Sequence, residues 1–144
     1  MLLATQSKPL ILVVDDDGAF LEIISTQLDA AGFGVALLQT ERAEDVILEC
    51  ERILPHLVLL DIYMPSGLSG FHIAMALKQN YHTRTIKVLF WSTLGNVPQD
   101  LLRAHPELKE EFKPDDFVDK GVDFEMLLDK IKRVLSSELT SVNV

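Results

Sequence analysis

The chain has 144 residues and a formal net charge of −9, long enough for one domain with a substantial core. Its acid excess argues against nucleic acid as a partner, because neutralising phosphate drives that affinity. No segment approaches the ~20 unbroken apolar residues of a membrane helix, the start through Pro9 lacks the pattern of a signal peptide, and a single cysteine leaves no intrachain disulfide. The expectation is a cytoplasmic protein that engages neither DNA nor membrane. Residues 1–8 read as a disordered lead-in, 9–136 as the folded domain and 137–144 as a tail.

Taken in order, Leu10 to Val14 is an aliphatic run that predicts a buried strand, and it stops on Asp15-Asp16-Asp17-Gly18. Phe20, Ile24, Leu28 and Ala31 recur at helical spacing through residues 19–31, with Gly32 as the C-terminal cap. Gly34 to Gln39 predicts a second strand. Thr40 is placed to cap a helix over 41–54, which Pro55 closes. On that helix Cys50 shares a face with Ala43, Val46, Ile47 and Leu54, the position of a buried structural thiol.

Leu57 to Leu60 are four consecutive aliphatic residues, the pattern of a central parallel strand. They end on Asp61 and a loop containing Pro65, Gly67 and Gly70. Residues 71–80 predict a helix with Phe71, Ala74 and Leu77 inward, and 86–91 a fourth strand ending on Ser92-Thr93. Residues 97–112 are polar and helical, interrupted by Pro106. Asp116 to Asp119 is a short fifth strand ending at Lys120-Gly121, and 124–135 an amphipathic helix with Leu127, Leu128, Ile131 and Leu135 on one face. Strands alternating with helices in this way predict an α/β domain with a parallel sheet covered on both faces.

Polar groups therefore close four strands: Asp15-Asp16, Asp61, Ser92-Thr93 and Lys120. Parallel strands bring them to one edge, the edge at which open α/β sheets bind ligands. Residues 1–72 hold 3 Lys/Arg against 11 Asp/Glu, a net −8, whereas 73–144 hold 10 against 11. Three carboxylates converging at one edge repel one another and call for a cation. Oxygen ligands and near-octahedral geometry suit Mg²⁺. A hydroxyl and an ammonium opposite it suit a group with several anionic oxygens, such as a phosphoryl.

These motifs, in this order, resemble the response-regulator receiver domain of two-component signalling over about residues 9–136, nearly the whole chain. Val13-Val14-Asp15-Asp16 matches the acidic pair, Leu60-Asp61-Ile62-Tyr63-Met64-Pro65 the phosphorylation loop, Ser92 the switch hydroxyl and Lys120 the site lysine. The resemblance implies a stand-alone, doubly wound (βα)5 flavodoxin-like fold with strand order 2-1-3-4-5. It implies that Asp61 accepts a phosphoryl group from a histidine kinase or phosphotransfer protein and that the signal leaves by contact with a downstream protein target. Asp16 then ligates Mg²⁺ directly, Asp15 acts largely through water, and the Tyr63 backbone carbonyl adds an oxygen. Such a protein is no enzyme in the turnover sense, catalysing only its own phosphorylation and dephosphorylation.

The chain departs from the family pattern at named places. Its loop from Met64 to Gly70 has one more residue before the glycine, Thr93 stands where a small residue is usual, and Phe117 replaces the switch tyrosine. The span from Ser92 to Lys120 is also longer than usual, so the fourth helix is expected to be built differently. Other readings compete. Val13 to Gly18 also resembles the Asp-x-Asp-Gly signature of haloacid-dehalogenase-type phosphatases, with Asp15 as nucleophile and Asp17 as general acid. A degenerate receiver, an unphosphorylated interaction module, is a third. Asp17 reads more simply as a helix cap, and Trp91 as packing.

Overall fold

The strands form where aliphatic runs meet cover on both sides of a sheet. A computed structural model describes residues 8–67, 69–92, 103–104, 106, 117–121 and 123–142 of the chain. Five strands, β1 (Leu10–Asp15), β2 (Gly34–Gln39), β3 (Leu57–Asp61), β4 (Lys87–Ser92) and β5 (Phe117–Asp119), make one parallel sheet in the order β2-β1-β3-β4-β5. Among the described residues, α1 (Gly18–Ala30), α2 (Ala43–Ile53) and α3 (Ser69–Gln79) follow β1, β2 and β3 in turn, and α4 (Phe124–Val142) follows β5. The doubly wound topology is the expected one. The parts of the expected scheme at residues 1–7, 93–102, 107–116 and 143–144, including Thr93, lie outside the described residues.

Alternation along the two central strands divides the core. Leu12, Val14, Val58 and Leu60 pack with Val46, Cys50, Phe71 and Leu77 on the face covered by α2 and α3. Ile11, Val13, Leu57 and Leu59 pack with Leu21, Ile24, Leu28, Leu127 and Ile131 on the face covered by α1 and α4. Burial on both faces is what makes β1 and β3 read as unbroken aliphatic runs rather than alternating ones. Cys50 is buried as expected, and burial pushes its thiol up to about 12, with Glu49 and Glu51 adding to the shift.

Helix boundaries differ from expectation at several ends, most of all at the last, where α4 runs on to Val142 through residues expected to be a tail and not to Leu135. Thr40 does not cap α2. The N-cap residue is Arg42, without a side-chain cap hydrogen bond. The Thr40 hydroxyl instead donates to Asp45 Oδ2 at 2.7 Å and accepts from the Arg42 N–H at 3.0 Å, bracing the turn before the helix. The same helix ends on Leu54 in the left-handed region, φ 50° and ψ 64°, with its N–H on the Cys50 carbonyl at 2.9 Å. α3 begins two residues earlier than its apolar spacing predicts, because Ser69 and Gly70 are themselves buried against the sheet edge.

Candidate functional site

Parallel pairing places the carboxyl ends of β1, β3, β4 and β5 side by side, and the polar residues that close them meet there. Asp15 and Asp61 are 1% and 7% exposed, and Asp16 is half-buried. One carboxylate oxygen from each of Asp15, Asp16 and Asp61 lies within 4.8 Å of the others. Lys120 follows β5 and reaches back across the edge. Its Nζ donates to Asp15 Oδ2 at 2.8 Å and stands 3.3 Å from Asp61 Oδ2. Its backbone N–H donates to the Ser92 carbonyl at 2.7 Å, which ties the lysine to the end of β4.

Three carboxylates against one ammonium leave the edge short of positive charge. Burial first, and then the charges of Asp15 and Asp16, push Asp61 up to about 6 despite the opposing pull of Lys120. Asp16 is raised too, through burial, its hydrogen-bonded neighbour Asp15 and the charge of Glu41. An all-oxygen, electron-rich cluster of this kind fits a hard divalent cation. The donor set matches Mg²⁺.

Asp17 has a different job. Its Oδ1 accepts from the Ala19 and Phe20 amides at 3.1 and 3.3 Å and so caps α1, while its own N–H donates to Asp15 Oδ1 at 3.0 Å. Tyr63 follows Asp61 by two residues and packs against the α2–α3 core. After it, Met64 and Gly67 exchange two backbone hydrogen bonds of 3.0 and 2.8 Å, and Gly67 takes φ 104°, a conformation that favours glycine. This turn is where the longer loop folds back on itself.

Ser92 and Phe117 are near the site without being equivalent. Ser92, 4% exposed, closes β4 opposite Asp119. Phe117 pairs with Phe90 one step deeper, its ring stacked on Phe90 at 5.0 Å and edge-on to Phe71 at 6.2 Å. It belongs to the core, not to the charged edge.

Several contributors are not apparent in the sequence reading. Phe20 and Trp91 seat the Lys120 ammonium, with ring centroids 4.4 and 5.1 Å from Nζ. Gly70 lies so close to β3 that a Cβ there would stand 1.9 Å from the Asp61 carbonyl oxygen. Gln39 closes β2 at the same edge, and its Nε2 donates to the Asp16 carbonyl at 3.0 Å. Extending the strand-end rule to all five strands finds Gln39. No sequence signal marks the other three.

A family model described as the response regulator receiver domain matches residues 11–132. The chain is similar to the DNA-binding dual master transcriptional regulator RpaA of Synechocystis, 29% identical over 130 residues that cover 88% of this chain and 49% of that protein. It is also similar to the transcriptional regulatory protein YvcP of Bacillus subtilis, 32% identical, with 87% and 48% covered. A solved signal receiver domain of a signal transduction histidine kinase from Syntrophus aciditrophicus superposes with a TM-score of 0.71 and 26% identity, covering 90% of this chain and 91% of that one. The chain belongs to the response regulator receiver domain family, a family of signalling proteins of two-component systems.

The chain spans about half the length of the curated relatives it matches. That overturns the exclusion of DNA as a partner. RpaA is a DNA-binding regulator, and local basic surface makes phosphate contacts, so the net charge of the matched half does not decide the matter. The phosphatase alternative falls with the family assignment. No described helix is long and apolar enough to cross a membrane.

Proposed function

We propose that Asp61 is the phospho-acceptor of a cytoplasmic receiver switch, charged by a phosphohistidine donor in a Mg²⁺-dependent reaction. The observation that carries this reading is the buried Asp61 carboxylate at the end of the central strand, 3.3 Å from the Lys120 ammonium and within 4.8 Å of two further carboxylates. A bound Mg²⁺, held by Asp15, Asp16, Asp61 and the Tyr63 carbonyl, supplies the positive charge that phosphoryl oxygens need. The residues of the chain do the rest. An Asp61 carboxylate oxygen bonds to phosphorus as the P–N bond to the donor imidazole breaks, and that electron pair leaves with the imidazole. Such a transfer depends on placement and charge neutralisation more than on nucleophilic strength. Lys120, fixed by Asp15 and two aromatic rings, is positioned to pair with the new phosphoryl oxygens.

Ser92 is the proposed reader of that group, with Phe117 moving behind it as the switch aromatic. The phosphorylated state biases an existing two-state equilibrium, which contacts with other proteins then sense. Thr93, the third proposed switch residue, lies outside the described residues.

Intact mass after incubation with Mg²⁺ and acetyl phosphate tests the reading. One phosphoryl adduct is expected in the wild type and none in Asp61→Ala, while Lys120→Ala slows uptake by about 10²-fold, the effect of losing one preorganised charge-stabilising donor. An adduct that survives Asp61→Ala removes Asp61 from its role. No adduct from acetyl phosphate or from a phosphohistidine donor returns the degenerate receiver.

A further inference from the structure

The turn between β2 and α2 touches both loops that frame the carboxylates. Gln39 stands beside Asp15 in the sheet register. Its Nε2 holds the Asp16 carbonyl at 3.0 Å, and its Oε1 lies where a Cβ on Gly18 would come within 3.0 Å. Two residues later, Glu41 Oε1 accepts from the Ser66 backbone N–H at 2.9 Å, in the middle of the turn that Met64 and Gly67 close. Between them Thr40 is bound to Asp45 and to the Arg42 N–H, which anchors the turn on the start of α2. One short segment therefore grips the acidic loop with one side chain and the phosphorylation loop with another.

We infer that Gln39 and Glu41 are positioning residues that clamp the Asp16 and Tyr63–Gly67 loops to each other, with Glu41 acting as a hydrogen-bond acceptor for Ser66 and not as a fourth ligand. The inference rests on the reading of Asp16 and the Tyr63 carbonyl as metal ligands. Mg²⁺ demands near-octahedral oxygen placement, so a loop that swings at Ser66 misplaces the carbonyl three residues earlier. Partners that orient ligands from behind are worth about 10- to 100-fold in metal affinity.

The test separates acceptor from charge. Glu41→Gln keeps a carbonyl oxygen for Ser66 and loses the charge, whereas Glu41→Ala loses both. Amide hydrogen exchange at Ser66 in the metal-free protein is the first readout, Mg²⁺ affinity by titration calorimetry the second, and the thermal midpoint guards against misfolding. Glu41→Ala is expected to speed Ser66 exchange and weaken Mg²⁺ binding about tenfold, with Glu41→Gln restoring slow exchange and most of the affinity. Gln39→Ala is expected to weaken Mg²⁺ comparably while leaving Ser66 exchange alone. Unchanged Ser66 exchange in Glu41→Ala, or Glu41→Gln exchanging as fast as Glu41→Ala, overturns the clamp, as does a wild type that binds no Mg²⁺. A wild type that shows the expected pattern yet takes up no phosphoryl group keeps the clamp and removes the phospho-acceptor reading.

Discussion

Gly70 illustrates how tightly the site is framed residue by residue. It is the second residue of α3, directly under β3, with its N–H on the Ile62 carbonyl at 3.0 Å, and the space for a Cβ is already filled by the Asp61 backbone. Gly70→Ala must push the end of β3 or the start of α3 away. The expected cost is about 3 kcal/mol, the upper range for overpacking, read as a lowered denaturation midpoint, together with slower phosphoryl uptake as Asp61 shifts. Unchanged stability and uptake would show that the edge is softer than its geometry. Nothing in the sequence separates Gly70 from Gly67, since both read as loop glycines. One serves a positive φ and the other a close approach, and only the packing tells them apart. The charged members of the site were legible because they sit at strand ends: Asp15 and Asp61 are the first polar residues after apolar runs, Asp16 follows Asp15 directly, and Lys120 follows the short strand that ends on Asp119. Phe20 and Trp91 were not, because an aromatic ring at a core position gives no sign that its face also holds an ammonium.

At the scale of elements, strands were easier to read than helix ends. A parallel strand buried on both faces announces itself through composition, whereas a cap depends on which of several polar residues turns inward. Thr40 and Arg42 show this: the better capping residue spends its hydroxyl on Asp45, and the helix starts without a side-chain cap. The other end of α2 offers a test. Leu54 holds a left-handed conformation while 65% exposed, so its side chain contributes little burial against a backbone cost of about 1–2 kcal/mol for an L residue. Leu54→Gly is expected to raise stability by about 1 kcal/mol, seen as a higher urea midpoint with an unchanged slope. A lower midpoint would mean that the Leu54 side chain matters more than its exposure indicates.

For the whole molecule, the crowded carboxylates couple folding to pH and to metal. The folded state holds a proton on Asp61 up to about 6, against an ordinary value of 3.8. Between those values the folded protein binds more protons than the unfolded one, so stability falls as pH rises. The contribution is complete below about pH 4 and gone above about pH 6, an effect on the order of 3 kcal/mol for this group. In metal-free protein, urea unfolding from pH 4 to 7 should show this decline in the wild type relative to Asp61→Asn. Parallel curves for the two proteins would rule it out. Saturating Mg²⁺ at pH 7 should recover stability by about 2.7 kcal/mol at one hundred times the dissociation constant, and far less at pH 4.5, where protons compete for the same oxygens.

The seating of Lys120 has one more consequence. Trp91 is the only tryptophan in the chain, its ring lies 4.4 Å from that of Phe20, and the Lys120 ammonium sits over its face. Any event that draws the ammonium toward Asp61 changes the electric field across the sole indole chromophore. The protein thus carries a built-in optical reporter of its own charge state, readable by emission intensity without a label.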